Sequence, residues 1–242
     1  MYKKLMLLCG LTASSLASAL PQIHIGSMHD FIDSDKSTLL KRIGNRGDQT
    51  AFVRTQVSEI FYYPDGKKVE KKIDAQDASK GNIDGLVFTP SRMIIPAKGM
   101  QSGRLLFSGN RDRERYYRVR FIPVMPKNEY EFGQTKKEFD AYKKKLNAGV
   151  TILTGYGAIV VVRPRNTQFN TEITQTGKKI VVHNKGNSSI SLDTIKQCEK
   201  NKCSPATYAI VLPGHKYTLQ MESNSLQFTL LEGGKKTPKS FG

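Results

Sequence analysis

The chain has 242 residues, 38 Lys and Arg against 21 Asp and Glu, and a formal charge of +17. That length accommodates one large β domain or two of ordinary size, and the charge favours an acidic partner. The cations are scattered, with short runs at Lys67–Lys72 and Lys143–Lys145 instead of one stripe. Solvated loops or an acidic protein partner account for that distribution, and a nucleic-acid groove does not.

The first segment reads as an address. Met1–Lys4 is basic, the run from Leu5 to Leu11 is apolar, and Ala17-Ser18-Ala19 supplies small residues at an A-x-A site. That order is a secretory signal, with cleavage expected after Ala19 and a mature chain from about Leu20. The apolar run is too short to span a bilayer. Cys9 lies inside that run instead of after it, which argues against lipidation. Export also removes nucleic acid from the partners. Cys198 and Cys203 remain, five positions apart, and in an oxidising compartment they are expected to close a small disulfide loop. No second ligand pair sits nearby at zinc spacing, and no cofactor or metal is expected.

Short strands separated by turn residues follow. Thr50–Tyr62 is rich in β-branched and aromatic residues and ends at Pro64-Asp65-Gly66. Leu86–Thr89 and Met93–Ile95 are short apolar strands before prolines. Arg115–Val124 alternates apolar with basic residues, so one of its faces is buried. Lys136–Leu146 has helical composition but is charged almost all round, which predicts a loop or short surface helix within a long loop, Lys127–Gly149. Ala158–Val162 is continuously apolar, as in a strand covered on both faces. Arg163-Pro164-Arg165 ends it and predicts a domain boundary. The second half offers strands at Lys179–His183, Ser189–Ile195, Tyr208–Leu212, Lys216–Met221 and Leu226–Leu231, then a loose tail, Gly233–Gly242. No internal repeat is evident. The pattern predicts an all-β fold of sandwich type.

Catalytic chemistry finds little support. There is no G-x-S-x-G, P-loop or G-x-G-x-x-G, and His24, His29, His183 and His215 form no H-x-x-x-H pair. Asp33 and Asp35 flank Ser34 as ordinary turn formers.

Several segments, in order, resemble the periplasmic fimbrial (pilus-assembly) chaperones. DGLVFTPSRMIIPAKGMQSGRLLFSG (84–109), RERYYRVRFIPV (113–124) and FIDSDKSTLLKRIGN (31–45), the last as a first hairpin, carry the likeness in the first half. NKGNSSISL (184–192), the Cys198/Cys203 pair and YAIVLPGHKYTL (208–219) carry it in the second. The likeness spans residues 20–242, is closest to the common pilus chaperones, and extends more distantly to the alternate chaperones of CFA-type fimbriae.

This resemblance implies two immunoglobulin-like β-sandwich domains in a boomerang, residues 20–163 and 164–242, with no enzyme activity. It implies donor-strand complementation: the chaperone lends an edge strand to pilin subunits, major pilin and tip adhesin alike, then passes them to an outer-membrane usher. The donor strand falls near residues 150–162. Val150 and Ile152 are placed in the client groove or, equally, in the sandwich core, and Ile159 and Val161 would extend the contact. The basic positions that hold a client's terminal carboxylate are occupied here by Met28 and Ile159, so Arg118, or else Arg163, is expected to take that role. The same bare edge makes a self-capping homodimer an expected free form. Two rivals stand beside this reading. One is a structural pilus or adhesin subunit, for which Leu20–Ile25 offers only a short donor extension. The other is an exported module for an acidic polysaccharide or lipid surface.

Overall fold

Alternation and turn chemistry produce the architecture. The computed structural model describes residues 20–63, 66–73, 84–146, 153–200 and 202–242. Its first half contains β1 (Ile23–His24), β2 (His29–Ile32), β3 (Thr38–Asn45), β4 (Ala51–Tyr62), β5 (Lys68–Lys72), β6 (Gly85–Thr89), β7 (Arg92–Ile95), β8 (Met100–Ser108), β9 (Arg115–Pro123) and β10 (Tyr156–Val162). One sheet runs β1-β3-β8-β6. The facing sheet runs β2-β10-β9-β4-β5, with β7 also pairing β4. Every second residue of β9 turns inward, so Tyr117, Val119 and Phe121 are fully buried against Ile32, Leu86, Leu105 and Val160. Tyr116, Arg118 and Arg120 therefore lie on the outer face.

The second half contains β11 (Thr171–Thr176), β12 (Lys179–Asn184), β13 (Ile190–Glu199), β14 (Lys202–Cys203), β15 (Thr207–Val211), β16 (Lys216–Gln220), β17 (Ser225–Glu232) and β18 (Lys235–Phe241). One sheet is β11-β12-β16. The other is β14-β13-β17-β18, with β15 on β13. Ile180, Ile190, Leu192 and Leu226 fill a separate core. The expected disulfide joins Cys198 to Cys203 at the β13–β14 turn. Two sheets around one core in each half, antiparallel except for the parallel β2–β10 pair, make this a pair of immunoglobulin-like sandwiches.

Two expectations need correcting. The tail Gly233–Gly242 is not loose: β18 pairs with β17 from Leu226↔Phe241 to Glu232↔Lys235, and Pro238 is tolerated because β18 is an edge strand. FIDSDKSTLLKRIGN is not a hairpin, because β2 joins β10 while β3 joins β8 in the other sheet. Of the two readings given for Lys136–Leu146, the short surface helix is the one observed, α1. Its Tyr142 and Leu146 close a third cluster with Phe52 and Phe132, and the Tyr142 hydroxyl donates to Thr50 O at 3.0 Å. Burial pushes that phenol up to about 12.

One local corner recurs in both halves. Asn45 ends β3 and Asn184 ends β12, and each is followed two residues later by glycine, Gly47 or Gly186. Each asparagine oxygen accepts from that glycine's N–H at 3.0 Å. Each asparagine NH2 donates to distant carbonyls, Ile95 O and Gln49 O for Asn45, Val211 O and Ser188 O for Asn184. The glycines are required by close approach: a Cβ would lie 2.0 Å from Leu20 O at Gly47 and 2.4 Å from Gln168 O at Gly186. The two halves thus share an N-x-G corner that ties down the segment entering each half.

Candidate functional site

Strand β9 carries two charged constellations on its outer face, a few residues apart. The first lies where the halves meet. Arg163, just beyond β10, is 4% exposed and stacks between Phe31 (4.5 Å) and Phe169 (5.0 Å). Its Nη1 donates to Ser188 Oγ at 2.5 Å and Ser189 O at 2.9 Å. Its Nε lies 3.3 Å from Asp33 Oδ1. Glu114, 7% exposed, accepts from Ser188 Oγ, from the Ser189 N–H at 2.7 Å and from the Ser189 hydroxyl. Burial, the Glu114 charge and the Glu114 hydrogen bond all push the Tyr116 phenol up. Burial lowers the Arg163 guanidinium, with Glu114 and Asp33 opposing. Each group here has partners, so the network fixes the two halves to each other.

The second constellation is more open. Arg118 pairs in register with Ile159 of β10 and Ser58 of β4. Its Nε is 2.9 Å from Glu70 Oε1, outside hydrogen-bond alignment. Arg120 Nη2 donates to Glu70 Oε2 at 2.5 Å, and its Nη1 reaches Ser58 Oγ at 3.4 Å. Both arginine side chains are about a third exposed, 29% and 34%. Burial raises the Glu70 carboxyl, but the Arg120 hydrogen bond and the charges of Arg118, Arg120 and Lys68 outweigh it and hold the group below the ordinary carboxylate range.

Beside these arginines lies an incomplete edge. β10 is paired along its whole length with β9, from Tyr156↔Phe121 to Val162↔Arg115. On its other side β2 runs parallel, but only from Ile159↔His29 to Val162↔Ile32. Among the described residues, Tyr156, Gly157 and Ala158 have no ladder partner on that side. The covering strand is pinned at its start. Met28 O accepts from the Ile159 N–H at 2.8 Å, and buried Lys41 donates to Ser27 O and Asp30 Oδ2, both at 2.7 Å. The His29 ring meets Tyr208 of the other half edge-on at 4.9 Å, with Nδ1 hydrogen-bonded to the Tyr208 hydroxyl.

The sequence-predicted site residues fall unevenly on this geometry. Val150 and Ile152 lie outside the described residues. Ile159 and Val161 occupy the outer face of β10, Ile159 half-buried and Val161 buried, where β2 already pairs. Strand alternation places Val150 and Ile152 opposite in parity to Ile159 and Val161, so one uninterrupted strand would not show all four to one client. Leu153–Gly155 precede the ladder without joining it. Arg118 is beside β10 and open to solvent, whereas Arg163 is enclosed in the network described above. Sequence reasoning missed Glu70, Arg120, Glu114 and Tyr208. The R-x-R pair on an alternating strand was a readable signal for Arg120, and the other three had none. Among the described residues, no three His, Cys, Asp or Glu side chains come together to hold a metal, and no helix is long and apolar enough to cross a membrane.

Against known proteins, no family model matches. The probable fimbrial chaperone EcpB of Escherichia coli O157:H7 is 24% identical over 242 residues, covering 98% of this chain and 99% of that protein. The chain resembles a fimbrial chaperone from end to end. EcpB of Escherichia coli K12 gives the same identity and coverage. Among solved structures, the class 5 fimbriae chaperone CfaA superposes with a TM-score of 0.55 at 19% identity, covering 91% of this chain and 98% of that one. The SafB chaperone, solved with the Salmonella enterica pilin SafA, gives 0.55 at 15% identity, covering 93% and 98%. These superpositions identify the fold as that of the pilus chaperones, with two immunoglobulin-like domains.

Proposed function

We propose that this protein is an exported periplasmic chaperone that binds pilin subunits by strand complementation and delivers them to an outer-membrane usher. The observation that carries the mechanism is the half-open edge of β10. Among the described residues its backbone at Tyr156–Ala158 is unpaired on the side away from β9, near two arginines, while β2 closes the edge from Ile159 onward. A client strand laid along the open stretch satisfies its own backbone groups there and ends against the start of β2. Arg118 then lies within the sheet face at that end and holds a terminal carboxylate by charge-assisted hydrogen bonds. Arg163 is left to join the halves, 20–163 and 164–242, in a boomerang. The protein works by binding and not by bond chemistry.

The rival reading as a pilus subunit is disfavoured by the N-terminal segment. A donor extension must be free, yet Ile23 and Ile25 are buried in this chain's own core and β1 is paired to β3.

Periplasmic co-expression with the cognate pilin, followed by gel filtration, tests the reading. A one-to-one complex is expected. Ile152→Asp is expected to abolish it in a still-folded protein, because a charge enters an apolar groove. Arg118→Ala is expected to weaken it at least about tenfold, the loss of a charge-assisted contact. Pilin that aggregates equally with and without this protein would overturn the chaperone reading. An Ile152→Asp protein that fails to fold would place Ile152 in the core and reject the donor register.

A further inference from the structure

Glu70 has an unusual position. It sits on β5, which among the described residues pairs only with β4 and is otherwise lined by exposed Lys68, Lys71 and Lys72. In register Glu70 faces Ile60, while Arg118 and Arg120 face Ser58 and Gln56 on the far side of β4. The carboxylate therefore reaches diagonally across a strand to two guanidinium groups. Among the described residues it is the single acid within ion-pair distance of either. The nearby Glu59 is committed to Arg115 at 2.7 and 2.8 Å.

The stems of Arg118 and Arg120 lie beneath Gly157, on the unpaired stretch of β10. Even a Cβ there would meet them only at 3.7 and 3.9 Å. Gly157 itself puts no side chain between the arginine stems and the open edge. A planar carboxylate is the ligand that two forked cations recognise, and Glu70 satisfies them in a sheet face that is partly desolvated.

We propose that Arg118 and Arg120 form a carboxylate seat that Glu70 occupies in the free protein and that a client's terminal carboxylate takes over on binding. This inference rests on the chaperone reading and adds a regulatory residue to it. The exchange replaces one carboxylate by another, so the two arginines are never stripped of their counter-charge. A chain end without a carboxylate cannot compensate the pair and gains nothing from displacing Glu70. Glu70 then competes with carboxylate-ended clients and leaves the binding of neutral ends unchanged.

The test is calorimetric titration of the full chain with a synthetic peptide matching the last strand of the cognate pilin, as free acid and as carboxamide. Glu70→Gln is expected to tighten the free acid about five- to tenfold, as when a seat that is mostly self-occupied is vacated. The carboxamide is expected to bind Glu70→Gln and wild type alike. Glu70→Ala is expected to reproduce that order, which covers a folding fault in either variant. Free-acid affinity that is unchanged or weaker in both variants would overturn the proposal and make Glu70 a positioning group for the arginines. Failure of the chaperone reading looks different: wild type would then bind neither peptide.

Discussion

The two constellations on β9 are built from the same chemistry and do opposite jobs. Glu114 and Arg163 are almost fully buried; Ser188 and Ser189 hydrogen-bond Glu114 and the Arg163 Nη1, and Arg163 Nε has only ion-pair contact with Asp33, at 3.3 Å and outside hydrogen-bond alignment. Arg118, Arg120 and Glu70 are partly exposed, with two cations sharing one carboxylate. Deep burial with several hydrogen-bond partners makes a joint, because any exchange would strand a charge in low dielectric. Partial exposure with incomplete partnering makes a seat, because a ligand of the right charge can enter at small cost. The seven residues from Glu114 to Arg120 span both regimes, and the second half of the chain, seated over Tyr116, decides which is which.

Breaking the joint has the largest expected effect. Glu114→Ala removes the acceptor from Ser188 and Ser189 and leaves the Arg163 guanidinium buried with less counter-charge. The expected loss is about 3–5 kcal/mol, the range for removing one partner of a buried charged network. Urea unfolding would read it, together with a split of one transition into two as the halves uncouple. A change under about 1 kcal/mol would show that the joint does not hold the halves together.

Arg163→Lys sharpens the same comparison at lower cost. Lysine keeps the charge but cannot fill the plate-like space between Phe31 and Phe169 or reach Ser188 Oγ and Ser189 O together. A loss of about 1–3 kcal/mol is expected in the same unfolding assay, from a lost hydrogen bond and poorer packing. Full stability in the lysine variant would mean that charge alone matters at this site.

How much of this was legible follows the range of each signal. The alternation of Arg115–Val124 located β9, its buried face and the outward Arg118, because period two is local. The continuous apolarity of Ala158–Val162 announced a strand covered on both faces, and Val161 on the outer face is as buried as Val160 and Val162 on the inner one. The β18 edge was misread because its lysines and Pro238 are the residues that blunt an edge strand, and they look like a tail in one dimension. The N-x-G corners at Asn45 and Asn184 were present in the sequence, but only the distant carbonyls they bind give them meaning. Glu70 and Tyr208 reach their partners across other strands, 50 residues from Arg120 for one and 179 residues from His29 for the other. No window along the chain carries such a contact.

The smallest expected effect concerns a contact intermediate between the joint and the seat. His29 and Tyr208 also cross between the halves, but both remain partly exposed. Burial lowers the His29 imidazole below its ordinary value, and the neighbouring Asp30 raises it only in part. A lowered folded pKa means that the unfolded chain binds the proton more readily. Stability is therefore full above the unfolded value, roughly 6.5, and declines as pH falls from there toward the lower folded value. A shallow loss of thermal stability is expected between neutral and mildly acidic pH. His29→Gln should remove that slope, because glutamine keeps a polar partner for the Tyr208 hydroxyl without a titrating ring. A slope that persists in His29→Gln would assign the pH response to other groups and leave the joint as the pH-independent connection between the halves.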